Sequence, residues 1–464
     1  MRALRIALAL VVGLAISSWC SAQPPQPAKT ARAGDGAASA QPSAQDVATL
    51  LQRITDLEDR VVSLEGQLRQ MKAQGAQPVA PTAPTPQPEA AAAPQPSAAP
   101  TVVTAAPEPR LGGAGAAASK ALNPDISMIG DFIAGAGHNP INPTPSFQMH
   151  ESELGVQAIV DPYARADFFL SFGETGVTLE EGFLTFTALP AGFVAKGGKM
   201  RAAFGKVNTL HNHVLPWVDR PLVTQNLVGG EDGIDDAGVS VQHIIPAPKN
   251  WFLEFTGQGF RGDSADVFTA SAKDDLSVVG HLRAYKDLTD NNNIDLGASY
   301  SRGHSLFDTD LIRHQFGSDF ITHLYGVDAM YRWKPLRRSI YRSFVARSEF
   351  IWRQQDQPSL IACLSITCPS NTAAGFQRAF GFYTSADYQF ARRWFFGGRV
   401  DSSDRAFNSR LNDKGGSLVL TYWPSEFAQL RGQYRLTRYA ENFDAHELFI
   451  QLQFALGAHG AHPF

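Results

Sequence analysis

Leu448-Phe449-Ile450-Gln451-Leu452-Gln453-Phe454-Ala455-Leu456, close to the end of a chain of 464 residues, alternates without a slip. In extended backbone, successive side chains project to opposite faces, so Leu448, Ile450, Leu452, Phe454 and Leu456 share one face. Phe449, Gln451, Gln453 and Ala455 share the other. The stretch reads as a strand with one greasy side. It comes last, so its partner lies far away in sequence: the first strand of a closed barrel, or a neighbour in a soluble sandwich.

Upstream the same rhythm recurs. Alternating segments read as strands at 124–135, 147–160, 164–173, 177–188, 193–204, 236–245, 251–260, 276–287, 294–303, 320–332, 340–353, 377–390, 393–402, 415–422, 427–436 and 446–457. Ile294, Leu296, Ala298 and Tyr300 oppose Asp295, Gly297, Ser299 and Ser301. Ala428, Leu430, Gly432, Tyr434 and Leu436 oppose Gln429, Arg431, Gln433 and Arg435. Tight connections such as 161–163, 190–192, 246–250, 334–339 and 391–392 alternate with long ones at 205–235, 304–319 and 354–376. An even strand count, alternately short and long connections, and one apolar face per strand predict an all-β, antiparallel transmembrane barrel of about sixteen strands. Its apolar faces meet lipid and its polar faces line a lumen. Tyr331, Trp333, Tyr341, Trp352, Trp394, Tyr422 and Trp423 fall near strand ends, where interfacial aromatic girdles lie.

Composition agrees. The net charge is -4, which offers no basic excess for nucleic acid, and no apolar run of about 18 residues follows the N-terminus. Membrane residence therefore falls to strands. Residues 1–22 read as a secretory signal, with Arg2 and Arg5 ahead of the apolar Ile6 to Ile16 and small residues before Gln23. Residues 23–45 are Ala/Pro/Gln/Ser-rich and read as unstructured. In 46–73, Val47, Ile54, Val61 and Leu68 take heptad position a and Leu50, Leu57, Leu64 and Met71 take d. Arg53 with Glu58, and Arg60 with Glu65, stand at g and the following e. That pattern predicts a self-associating coiled coil and leaves the number of its chains open. Residues 74–120 form a Pro/Ala-rich linker, extended at roughly 3 Å per residue where polyproline conformation holds. The barrel occupies 121–464.

A cleaved signal, a coil, a Pro/Ala linker and sixteen alternating strands ahead of a terminal Phe464 resemble the trimeric outer-membrane porins of bacteria, including the phosphate-selective and coiled-coil-bearing kinds. The resemblance implies passive diffusion of small hydrophilic solutes or ions, a homo-oligomer in outer-membrane lipid, and a coil in the periplasm that reaches toward the cell wall. It also implies that the long connection 205–235 folds back into the channel. That stretch carries Leu210, Val214, Leu215, Val218, Leu222, Val223, Leu227 and Val228, too many apolar side chains for open water. It also holds His211, His213, Arg220, Glu231, Asp232, Asp235 and Asp236. The expectation is that this loop forms a constriction, its acids set against lumenal Arg347, Arg353, Arg399, Arg431 and Arg435, with a weak anion preference. An external cap is the other path open to it. A tether between outer membrane and cell wall, with a plugged barrel, is the rival function.

Cys363 and Cys368 sit in a polar stretch and read as a disulfide stapling one external loop. His211-Asn212-His213 and the pair His459 and His462 have no third ligand at fixed spacing, so neither a metal nor a cofactor is expected. No nucleophile motif such as G-x-S-x-G is present, so the chain reads as a non-enzyme.

Overall fold

The structure is a computed structural model and describes residues 124–457, apart from 175, 265, 309–319, 337 and 359–370. The signal, the coil and linker, the cysteine pair and the His459 and His462 tail lie outside the described residues.

Sixteen strands follow one another: β1 (Asp125–His138), β2 (Phe147–Asp161), β3 (Ala164–Gly173), β4 (Gly176–Phe186), β5 (Val194–Arg201), β6 (Asp235–Ile245), β7 (Phe252–Phe260), β8 (Ser277–Thr289), β9 (Asn292–His304), β10 (Ile321–Trp333), β11 (Ser343–Gln355), β12 (Gln377–Ala391), β13 (Trp394–Arg405), β14 (Asn408–Ser425), β15 (Ala428–Arg438) and β16 (Asp444–Gly457). Each pairs antiparallel with its neighbour, and β1 pairs with β16 from Ser127↔Gly457 to His138↔His446. The sheet closes, so no strand edge is left unpaired.

The period of two sorts the side chains as the sequence predicts. On β16, Ile450, Leu452, Phe454 and Leu456 are exposed on the outer surface, while Glu447, Phe449, Gln451 and Gln453 are buried inside. On β9, Leu296 and Tyr300 face out, and Asp295, Ser299 and Ser301 face in. Val239, Phe255, Val327, Val400, Leu418 and Leu430 continue the apolar belt around the wall. An apolar surface that wraps a whole barrel is far beyond what a soluble monomer exposes. No helix among the described residues is long and apolar enough to cross a membrane. Trp394 stacks on Tyr422 at 4.5 Å and Trp352 packs on Phe380 at 5.1 Å near strand ends.

Most strand ends fall within three residues of expectation, and one boundary moves further. β14 begins at Asn408, not 415, which leaves Ala406 and Phe407 as its whole connection to β13. Residues 408–414 are mostly polar and lack the apolar alternation that marks a lipid-facing strand. Their order comes from the ladder with β13 and from Arg405 bridging Asp413 at 2.9 Å.

Two bulges turn extra charged side chains toward the interior. The β1–β2 register passes from Asp131↔Glu151 to Phe132↔Met149 and skips His150. The β3–β4 register passes from Phe169↔Glu181 to Leu170↔Leu179 and skips Glu180. A bulge breaks strict alternation and lets consecutive side chains reach one side. His150 with Glu151, and Glu180 with Glu181, use it.

Candidate functional site

The 33 residues between β5 and β6 leave the wall and cross the barrel interior. Their apolar members explain why. Val207, Leu215, Trp217, Val223, Leu227, Val228 and Ile234 are all buried, and they cluster with wall residues Phe260, Leu324, Ile351, Tyr383 and Val419. Within the loop a short helix, α1 (Leu222–Leu227), starts after Pro221 and packs against β11 to β14.

Polar contacts bind the loop to nearly every sector of the wall. Gly205 turns with φ 61° and donates its N–H to Ser299 Oγ at 2.9 Å, and a Cβ there would meet Glu349 Oε1 at 2.7 Å. Glu349 accepts the backbone N–H groups of Lys206 and Val207. Lys206 reaches Asp295 and Asp328 at 3.3 and 3.2 Å. Asn208 clamps the loop's base by donating to the carbonyls of Ala202 and Ile234 and accepting the Ile234 N–H. Gly233, with φ 63°, has no room for a Cβ, which would meet Asn208 Oδ1 at 2.1 Å.

The acidic run 231–236 does not meet the wall arginines. Glu231 accepts from His150 of β2, Asp232 is exposed, Asp235 pairs with Lys199 and Asp236 pairs with Arg261. The loop acid that does meet them is Asp219, ahead of that run: its carboxylate lies 2.9 Å from both Arg399 and Arg435. Arg399 also bridges Asp401 and stacks over Trp217, and Arg435 also bridges Glu447. Burial alone would raise the Asp219 carboxyl, but Arg399 and Arg435 outweigh it and hold the group well below the usual carboxylate range. Arg347 pairs with Asp387 on the neighbouring strand and makes no described contact with the loop. Arg353 donates to the Leu227 and Asp266 carbonyls and to Gln355. Arg431 donates to the Trp217 carbonyl and to Gln451. Arg220 turns inward on its own loop, donating to Asn212 and to the carbonyls of Val207 and Leu210. Burial lowers its guanidinium to about 10. These arginines thread a hydrogen-bonded frame. The opposition of a loop acid to wall arginines is made at Asp219, as ion pairs with the buried Arg399 and Arg435.

His211 and His213 sit against β2 and β4. His211 Nδ1 lies 2.6 Å from Glu153 and 3.0 Å from Glu180, and its Nε2 lies 2.8 Å from Glu181. His213 Nδ1 lies 3.5 Å from Glu153. Burial pulls the His211 imidazole down, but Glu153, Glu180 and Glu181 outweigh it and raise it well above its ordinary value. Glu151, Glu153, His211 and His213 bring one ligand atom each within 4.8 Å of one another, all four buried. The third and fourth members that the two histidines lack in sequence come from a distant strand. Glu151-Ser152-Glu153 is itself an i, i+2 pair, the one local signal that could have been read. The bulge that adds Glu180 has no such signal.

No protein-family model matches the chain. An uncharacterized protein of Aquifex aeolicus is 27% identical over 397 residues, covering 74% of this chain and 81% of that protein. Among solved structures the chain is similar to Pseudomonas putida OprB, with 11% identity over 73% of this chain and 95% of that one and a TM-score of 0.48. It is similar also to Vibrio cholerae OmpT, an outer membrane protein (8%, 72% and 97%, TM-score 0.46), and to the outer membrane channel DcaP of Acinetobacter baumannii (10%, 72% and 96%, TM-score 0.45). These likenesses are too distant to assign a function, which rests on the geometry.

Proposed function

We propose that this chain is a porin-type channel of the outer membrane through which small hydrophilic solutes or ions diffuse passively, with residues 205–235 as its narrowest element. The observation that carries the reading is the inverted sorting of side chains on a closed ring of sixteen strands, apolar outside and polar inside. Barrels of that size enclose a lumen wide enough for water, and a loop laid across it sets the free cross-section. The weak anion preference has its support in Arg220 of the loop and Arg353 and Arg431 of the wall, which make no ion pair among the described residues. The heptads of 46–73 support assembly as a homo-oligomer, a trimer in the resembling porins, with the coil on the periplasmic side.

Ion current through the purified protein in a planar bilayer tests this. The whole chain is expected to conduct, and deletion of 210–230 is expected to raise the single-channel conductance. Equal conductance with and without the segment removes the loop from the narrowest point. No current from either protein favours the tether between outer membrane and cell wall.

A further inference from the structure

Four carboxylates, Glu151 and Glu153 buried and Glu180 and Glu181 half-buried, surround the two imidazoles where the loop meets β2 and β4. Arg201 is the arginine that joins them, at 3.3 Å from Glu180. Four carboxylates thus crowd two imidazoles and one guanidinium at a place with little water, an arrangement a protein tolerates when protons or a cation are held there. Glu151 sharpens the point. It is 3% exposed, its carboxylate faces the cluster, and no N–H or hydroxyl donor among the described residues reaches its oxygens; the Glu180 carboxyl is the polar neighbour it meets. The orientation of His211 is a second, independent sign. Its Nε2 is fixed by Glu181 at 2.8 Å, while Nδ1 is presented to Glu153 and its neighbours. A carboxylate gripping the far nitrogen of an imidazole is the arrangement that aims histidines at metal ions and raises their basicity.

We infer that His211, His213, Glu151 and Glu153 form a site for one divalent transition ion of the zinc type, bridging the loop to the inner wall. Two imidazole nitrogens and two carboxylate oxygens suit zinc better than calcium or magnesium, which take oxygen ligands. Ligands about 2.0–2.2 Å from a tetrahedral ion stand about 3.3–3.6 Å apart, so the four atoms, now within 4.8 Å of one another, need only small side-chain rotations. Glu180, 3.0 Å from His211 Nδ1, stands ready as a further oxygen. Metal uptake at this place does not require that the barrel conduct.

The test uses the untagged full chain, folded in detergent, stripped with chelator and titrated with zinc against a chromogenic competitor. One zinc per chain is expected. Replacing both rings, His211→Ala with His213→Ala, is expected to weaken binding by about 100-fold or more, and Glu181→Gln by about 10- to 100-fold with the stoichiometry kept. Replacing His459 and His462 by Ala is expected to leave binding unchanged. X-ray absorption of the zinc protein should report two imidazole nitrogens. Heat-modifiable gel migration shows that each variant is a folded barrel. The site is overturned if the folded wild-type chain takes up no stoichiometric zinc, if the double-histidine variant binds as tightly as the parent, or if the tail histidines carry the ion.

Discussion

Asp219 holds the loop to β13 and β15, and its two guanidinium partners are themselves buried. Removing one partner of a buried, hydrogen-bonded charge set strands the rest, at a cost of about 3–5 kcal/mol. Asp219→Ala is therefore expected to free the loop, read as tryptic cleavage after Lys206 or Arg220 in a variant whose parent resists it. The pH dependence follows from the same contacts. The folded carboxyl lies below its unfolded value of about 3.9, so its contribution is complete above that value and fades only as acidity passes through the lower folded one. Protection of the loop, read over this range by amide hydrogen exchange, should thus persist from pH 7 down to about 4. Exchange of the loop amides opening at about pH 5 would mean that Asp219 is not the latch.

The loop as an element turns on its base, where Asn208 bridges Ala202 and Ile234 and Gly233 leaves it room. Gly233→Ala puts a Cβ into Asn208 at a backbone angle that costs about 1–3 kcal/mol for side chains that dislike it. The expected result is a flickering single-channel current with the mean barrel stability little changed; a current as quiet as the parent's would show that the base is not a hinge. The strands were legible in the sequence because lipid on one side and water on the other imprint a period of two on every one of them. The loop's inward course was legible from Leu215, Val223 and Leu227, which need cover. Its partners were not. Which acid meets Arg399 depends on distances across the lumen, and local spacing carries no record of them. The seven mostly polar residues ahead of Gly415 were lost for the converse reason: that end of β14 has no apolar alternation to betray it. The bulges at His150 and Glu180 are set by the neighbouring strand, so Glu180 and Glu181 reading inward together was beyond any periodic argument.

For the whole molecule, the outer belt is the term that keeps it in lipid. Leu452→Arg places a charge on that belt and should destabilise the barrel by about 2–4 kcal/mol if the position lies at mid-bilayer, measured by urea unfolding from lipid vesicles. A change within error would argue that this face meets protein, as in an oligomer interface. Closure itself has a kinetic consequence. Gln451 donates to Asp131 across 320 residues of chain, and the Phe454 ring lies so close to Gly130 that a Cβ there would meet it at 2.4 Å. The opening strand can pair with β2 on one edge, but its other edge has no mate until the final strand has been made and delivered. Throughout its transit the polypeptide carries sixteen oily zigzags with nowhere to put them, and it relies on an escort to keep them from clumping until the ring can be sealed.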